Sequence, residues 1–583
     1  MKVLTGIPAS PGIAIGRAFL FQNDPKARRR SINPQEIAEE IRRLEEAVRI
    51  TKEKLHEIHE RLSSTTPSGT ASMFQAQMLM LEDPMFLEKI YQEIEKGLVN
   101  AEWAVMKVGE ELAETLAQVE DEYLRERAID IKDVSRHILA NLSGEERPDI
   151  SSLREKVIIV AHDLAPSDTA LLPKEKVMGF ATDMGSRISH TAILARSLEI
   201  PAVVALGDIS TKVTTGQRII LDGNRGKVII EPDDETTTRY EGIRLKFIEH
   251  EQELSVIRDL PAITADGREV MLSANIEFPE ELEALKHYGA KGIGLYRTEY
   301  FYLRKDTLPT EEELFEDYKN VAQTVSPDPV IIRTLDLGAD KFVSYLGVPE
   351  SMSSMMGLRA IRLCLKYQEI FLPQLRAILR ASVYGNVKLM FPMISGIEEL
   401  RQAKSVLEKA KKELDDEGIP YNRDIEVGVM IEIPAAAVTS DILAKEVDFF
   451  SIGTNDLIQY TLAVDRGNEE ISWMFEPFHP AVLRLIKYVI ESAHNNDIWV
   501  GLCGEMAADP VFTLILLGLG LDEFSMNPAS IPEVKGIIRA SSYADAQEIA
   551  EEALKLSTAW EIEAYIWRIA MQRFPELLNW VGR

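Results

Sequence analysis

With 583 residues, 45 % of them hydrophobic, the chain is long enough for about four domains with real cores. Its 94 acidic against 65 basic residues give a net charge of −29, which excludes electrostatic binding to nucleic acid or to an anionic membrane surface. Cys364 and Cys503, the two cysteines, stand too far apart in sequence for a disulfide framework or a cysteine metal cluster. No apolar run approaches the ~18–20 residues of a membrane span, and no basic stretch followed by an apolar one opens the chain; a reducing cytoplasm is the expected location.

Residues 3–21 alternate apolar segments with Pro8, Pro11, Gly12 and Gly16, the pattern of short strands and turns. The basic run Lys26 to Arg30 reads as a solvated loop. Beyond Pro34, Ile37, Ile41, Leu44, Val48, Leu55, Ile58 and Leu62 form a heptad seam with Thr51 in its one polar gap, which predicts a long helix. Helical runs follow at 73–81, 84–96, 102–119 and 129–142, so that residues ~34–143 are expected to form an all-helical bundle.

Strand patterns return at Val157–Val160, Val177–Ala181 and Ala202–Val204, and Arg218–Leu221 and Lys227–Ile230 flank the turn Asp222–Gly226, a hairpin signal. This α/β unit takes in residues 1–25 and carries the bundle as an insertion. Within it, Gly185–Arg196 sets His190 at a strand-to-helix junction, with Ser189 as an N-cap candidate. Unpaired N–H groups and the positive end of the helix dipole would stabilise an anion carried on that imidazole. A capping-region or packed histidine is the competing reading of the same residues. From Asp233 to Leu260 the chain is charged and helical in period, as expected of a linker helix with a hinge.

Eight strand-then-helix units follow, with strands at Val270–Ser273, Gly292–Tyr296, Val330–Arg333, Val387–Phe391, Val427–Ile431, Asp448–Ile452, Ile498–Leu502 and Asp522–Met526. That count predicts a (β/α)8 barrel, with a doubly wound open sheet as the alternative. Barrel enzymes work at the C-terminal ends of their strands. There the sequence delivers Arg297-Thr298-Glu299, Arg333-Thr334-Leu335-Asp336, Glu432, Gly453-Thr454-Asn455-Asp456 and Cys503-Gly504-Glu505, with Arg466 in the loop after the sixth strand. Arginine forks bind carboxylate and phosphate bidentately, and Glu432 and Asp456 supply hard oxygens for Mg²⁺. A small ligand carrying both a phosphate and a carboxylate suits this set. Cys503 is suited to proton donation, a structural role being the alternative; Cys364, in helical surroundings, is expected to be packed core.

Several stretches resemble one family nearly end to end: Ala9–Gly16, Leu81–Pro84, Asp121–Arg127, Gly294–Glu299, Asp448–Asn468 and Asp522–Met526. The chain resembles the phosphoenolpyruvate-protein phosphotransferases, the Enzyme I proteins of the sugar phosphotransferase system. The resemblance implies a multidomain α/β fold. A swivelling phosphohistidine domain (1–25 and 144–232) carries a helical HPr-binding domain (26–143); a linker helix (233–260) leads to a TIM barrel (261–583) that binds phosphoenolpyruvate and dimerises. It implies that Mg²⁺ sits on Glu432 and Asp456, and that Arg297, Arg333, Asn455, Asp456, Arg466 and Arg359 form the substrate site. It further implies that His190 takes the phosphoryl group and passes it to HPr, and that Cys503 protonates the leaving enolate to pyruvate. Departures from the family pattern fall at Ser186 and Ile188, ahead of the histidine, at Ala339, and at Ser353–Met356 ahead of Arg359; Thr169 is retained. A dikinase-like relative would need a nucleotide-binding domain, for which residues 34–143 offer no Gly-rich phosphate loop. A non-catalytic regulator that binds the carrier is the reading from another class.

Overall fold

The structure, a computed structural model, describes the chain apart from residues 22–26, 64–77, 79, 82–83, 118–121, 144–152, 165–171, 186–189, 198–199, 304–307, 339–355, 467, 469 and 576–583. Two compact units divide between Glu249 and His250.

In the first unit β1 (Lys2–Thr5), β2 (Ile7–Ser10) and β3 (Ile13–Phe21) join one sheet with β4 (Val157–Ala161), β5 (Val177–Thr182), β6 (Ala202–Val204), β7 (Arg218–Asp222) and β8 (Lys227–Ile230). The order is β1-β8-β7-β3-β4-β5-β6-β2. Strands β3 to β6 run parallel, and the expected hairpin pairs β7 with β8 from Asp222 opposite Lys227. All five residues of β4 are buried, as a strand covered on both faces requires. Ile159 and Phe180 pack on one face with Ala192 and Ala195, while Ile158, Val160 and Leu221 pack on the other.

Between β3 and β4 the chain forms α1 (Ile37–Ser63), α2 (Pro84–Gly97), α3 (Ala101–Ala117) and α4 (Glu122–Ser143). The heptad seam is buried at Leu44 and Leu55. Thr51, its polar gap, is fully buried too and is satisfied on both sides: its hydroxyl donates to the Ala47 carbonyl at 2.7 Å and accepts from Asn141 Nδ2 at 2.8 Å. The gap is therefore a cross-helix hydrogen bond rather than a weak point in the seam. The helix expected from Ile129 starts at Glu122, because the charged turn before it has high helix propensity without an apolar stripe to announce it. In the basic run, Arg30 is tied to Glu36 and to buried Glu40.

The next helices of note are α5 (His190–Ser197) and α6 (Asp234–Ile257). At its start α6 buries Thr236, Thr237 and Tyr240, and Asp233 caps it by accepting from the Thr236 N–H at 2.8 Å.

The second unit is a closed barrel of eight parallel strands, so the open-sheet alternative does not hold. They are β9 (Met271–Ile276), β10 (Ile293–Tyr296), β11 (Pro329–Arg333), β12 (Asn386–Phe391), β13 (Val427–Ile431), β14 (Phe449–Ile452), β15 (Trp499–Leu502) and β16 (Glu523–Met526). Leu295, Ile331, Met390, Met430 and Phe449 cluster with Cys503. Arg333 and Glu432 each stand two residues beyond a member of that layer. The two-residue period of a strand therefore aims them at the same side, one layer nearer the C-terminal end.

Candidate active site

The site is built from the loops that leave these strands. Arg333 ends β11, is 9 % exposed, and meets two carboxylates: Nη2 lies 2.9 Å from Glu299 Oε1 and Nη1 3.0 Å from Asp336 Oδ2. Asp336 in turn accepts from Arg359, Nε at 2.9 Å and Nη2 at 3.2 Å. Arg359 also reaches Asp456, both of its Nη atoms standing 3.5 Å from that carboxylate. Glu432, just past β13, is 1 % exposed and accepts the Met393 N–H at 2.6 Å. Gly453 makes room for it, since a Cβ there would stand 2.9 Å from Glu432 Oε2.

Asp336, Glu432 and Asp456 offer oxygens that all lie within 4.8 Å of one another. Burial, reinforced by the Asp336 and Asp456 carboxylates, pushes the Glu432 carboxyl well above the usual range. Burial also raises Glu299. Burial works the same way on Asp336, but Arg333 and Arg359 outweigh it and hold that carboxyl below the usual range. Four carboxyl groups stand against two guanidiniums, and hard oxygens at this spacing fit a divalent cation, whose charge would favour their ionised forms.

Beside the cluster a cavity of about 240 Å³ is lined by Asn275, Glu277, Arg297, Asn455, Cys503 and Glu505 among others. Arg297 projects there half-exposed, 3.8 Å from Glu277. Asn455 and Asp456 lie in the first turn of α7 (Thr454–Leu462), directly after β14. Arg466 is held against Glu505 at 2.9 Å. Cys503 is 4 % exposed, its carbonyl fixed by Asn275 Nδ2 at 2.9 Å. Burial pushes its thiol up to about 11, against the pull of neighbouring Ser451 and Arg333, so it is protonated at neutral pH. Cys364 is fully buried core, as expected.

Three profiles of phosphoenolpyruvate-utilising enzymes match the chain in order: the N-terminal domain over residues 5–127, the mobile domain over 153–226 and the phosphoenolpyruvate-binding domain over 251–543. The phosphoenolpyruvate-protein phosphotransferase of Priestia megaterium is 45 % identical over 565 residues, 97 % of this chain and 98 % of the relative. That of Geobacillus stearothermophilus is 46 % identical over 568 residues, again 97 % and 98 %. The chain belongs to the phosphoenolpyruvate-protein phosphotransferase family. It is an enzyme of phosphoenolpyruvate-dependent phosphoryl transfer. Among solved structures, the solution structure of an Enzyme I protein is 42 % identical, covers 42 % of this chain and 99 % of its own, and superposes with a TM-score of 0.37.

The barrel thus brings together eight of the nine expected site residues. Arg333, Arg359, Glu432 and Asp456 form the buried cluster, and Arg297, Asn455 and Cys503 the cavity wall, which Arg466 joins through Glu505. His190, the ninth, belongs to the first unit, where it is the first residue of α5 after β5. Its side chain, Thr169, Ser186, Ile188, Ser189, Ala339 and residues 353–355 lie outside the described residues; Met356 is exposed.

The sequence shows Glu299 and Asp336 at strand ends but signals no role for either. Their signal was position alone, three residues after a strand end in each case. A further residue that the sequence does not signal is Gln374, fully buried in the helix Gln368–Ala381. Its Oε1 accepts the Leu335 N–H at 3.0 Å, and its Nε2 donates to Thr298 Oγ1 at 3.0 Å and Tyr318 Oη at 3.2 Å. One amide thereby fixes the loops that carry Arg297, Glu299, Arg333 and Asp336.

Proposed function

We propose that the chain takes the phosphoryl group of phosphoenolpyruvate onto His190 and passes it to the histidine of the carrier protein HPr, releasing pyruvate. One observation carries the barrel half of this reading. A buried thiol held in its protonated form shares a cavity wall with Arg297 and Asn455, beside a carboxylate cluster suited to a divalent cation.

Arg297, Arg333, Arg359, Arg466 and Asn455 hold the phosphate and carboxylate of the substrate, orienting them and neutralising their charge. A neutral His190 imidazole attacks phosphorus in line, so that an N–P bond forms as the P–O bond to the enol oxygen breaks. The enolate left behind takes the proton of Cys503 Sγ at its methylene carbon and becomes pyruvate. The thiolate is reprotonated from water. Glu432 and Asp456, with Asp336 as a neighbouring third oxygen donor, would hold Mg²⁺, which when bound supplies charge neutralisation to the phosphate and the enolate oxygen.

His190 serves two reaction partners in turn. The unit that carries it (1–25 and 144–232) therefore exchanges between the phosphoenolpyruvate site of the barrel (261–583) and HPr docked on the helical domain (26–143), with the linker helix (233–260) as the pivot. Homodimerisation through the barrel and a cytoplasmic location belong to the same proposal. Among the described residues no helix is long and apolar enough to cross a membrane.

Radiolabelled phosphoenolpyruvate with Mg²⁺ is expected to label the wild-type chain but not His190→Ala. Pyruvate release is expected to turn over only when HPr is added. Turnover without any histidine carrier would overturn the reading.

A further inference from the structure

Glu505, the residue two past Cys503, has no part in the scheme above, yet it holds two of the groups assigned to the substrate. Its Oε1 accepts from Arg466 Nη1 at 2.9 Å and from Asn455 Nδ2 at 3.3 Å, while its own backbone N–H donates to Asn455 Oδ1 at 3.0 Å. Glu505 and Asn455 thus close a hydrogen-bonded ring on the wall of the cavity, and Arg466 is held to that ring through Glu505.

The ring is anchored to the carboxylate cluster. The Arg466 N–H donates to Gln459 Oε1 at 3.0 Å, and Gln459 Nε2 donates to Asp456 Oδ1 at 3.2 Å. The Glu505 carboxylate itself faces solvent, its side chain 77 % exposed. Such an exposed ion pair is weak, worth at most about a fivefold change in an equilibrium. It is strong enough to orient a guanidinium and weak enough to be exchanged. An incoming phosphate offers Arg466 a dianion with several acceptor oxygens, where Glu505 offers one oxygen of a monoanion.

We propose that Glu505 is a positioning residue: a resident counter-ion that keeps Arg466 and Asn455 aimed at the cavity and is displaced from both by the phosphate group of phosphoenolpyruvate. The inference rests on the substrate assignment made above. It has a consequence for the end of the reaction. Once the phosphoryl group has left, pyruvate retains only a monocarboxylate and cannot hold Arg466 against Glu505. The ring closes again, which favours product departure over rebinding.

The test is direct binding to the full chain in a His190→Ala background, where phosphoenolpyruvate is bound without being consumed. Glu505→Gln keeps the oxygen acceptor and removes the charge. The expected result is that phosphoenolpyruvate binds about two- to fivefold more tightly to the Glu505→Gln protein while pyruvate binding stays unchanged. In the chain that retains His190, Glu505→Gln lowers KM and keeps a higher kcat than Glu505→Ala, which loses the ring as well as the charge. An unchanged or weakened affinity for phosphoenolpyruvate in Glu505→Gln, or an equal tightening of pyruvate, would overturn the proposal. Absence of phosphoenolpyruvate binding in the His190→Ala parent would instead overturn the substrate assignment, and this inference with it.

Discussion

Glu523 lies at the end of the barrel away from the strand C-termini, as the first residue of β16, and is 2 % exposed. Ser273 Oγ donates to its Oε1 at 2.6 Å, but its buried Oε2 has no hydrogen-bond partner. The cation that acts on it, Lys388, is occupied by Glu426 at 2.7 Å and sits over the Trp499 ring at 4.7 Å. Burial therefore raises the Glu523 carboxyl to about 7 from the ordinary 4.5. The sign of the effect follows. The folded chain keeps a proton that the unfolded chain releases above pH 4.5, so stability is full below that pH and is lost as pH rises through 7. A difference of that size corresponds to about 3 kcal/mol at its limit. Glu523→Gln is neutral at every pH and keeps an acceptor for Ser273. In urea denaturation of the barrel transition, the two proteins are expected to match at pH 4.5, with the variant gaining up to about 3 kcal/mol by pH 8. A gap that does not widen over that range, or a variant less stable at pH 8, would refute the reasoning.

Cys503→Ala is expected to bind phosphoenolpyruvate with near-wild-type affinity while pyruvate formation falls about 10²- to 10⁴-fold, the usual contribution of a positioned proton donor; single-turnover chemistry against equilibrium binding separates the two. Normal turnover would return Cys503 to a packing role. Chelation is expected to stop pyruvate release, and Asp336→Asn to weaken binding of Mn²⁺, followed by its paramagnetic resonance signal without substrate, by about tenfold. Unchanged Mn²⁺ affinity in Asp336→Asn would confine the ion to Glu432 and Asp456.

Much of this arrangement was legible in the sequence, and the reasons are particular. The eight barrel strands carry short apolar runs bounded by turn residues, and each expected strand falls within three residues of the observed one at either end. Arg333, Glu432 and Cys503 stand out in the sequence because each directly follows or ends an apolar strand, where barrels place their chemistry. Pairing was not legible. That Arg333 meets Glu299 depends on the register of β10 against β11, where Ile293 faces Val330 and Tyr296 faces Ile332 with an irregularity between. Gln374 gave no signal, because a single amide in an amphipathic helix looks the same whether it faces solvent or ties together two strand-end loops. Arg466 reaches Glu505 from the loop after α7, whose course no local pattern in the sequence specifies.

The central claim is that His190 receives the phosphoryl group. Incubating the full chain with labelled phosphoenolpyruvate and Mg²⁺, then locating the acid-labile, base-stable label on its peptide, tests it most directly. The account predicts label on the peptide that contains His190 and none on the His190→Ala chain; label that persists in that variant would contradict it.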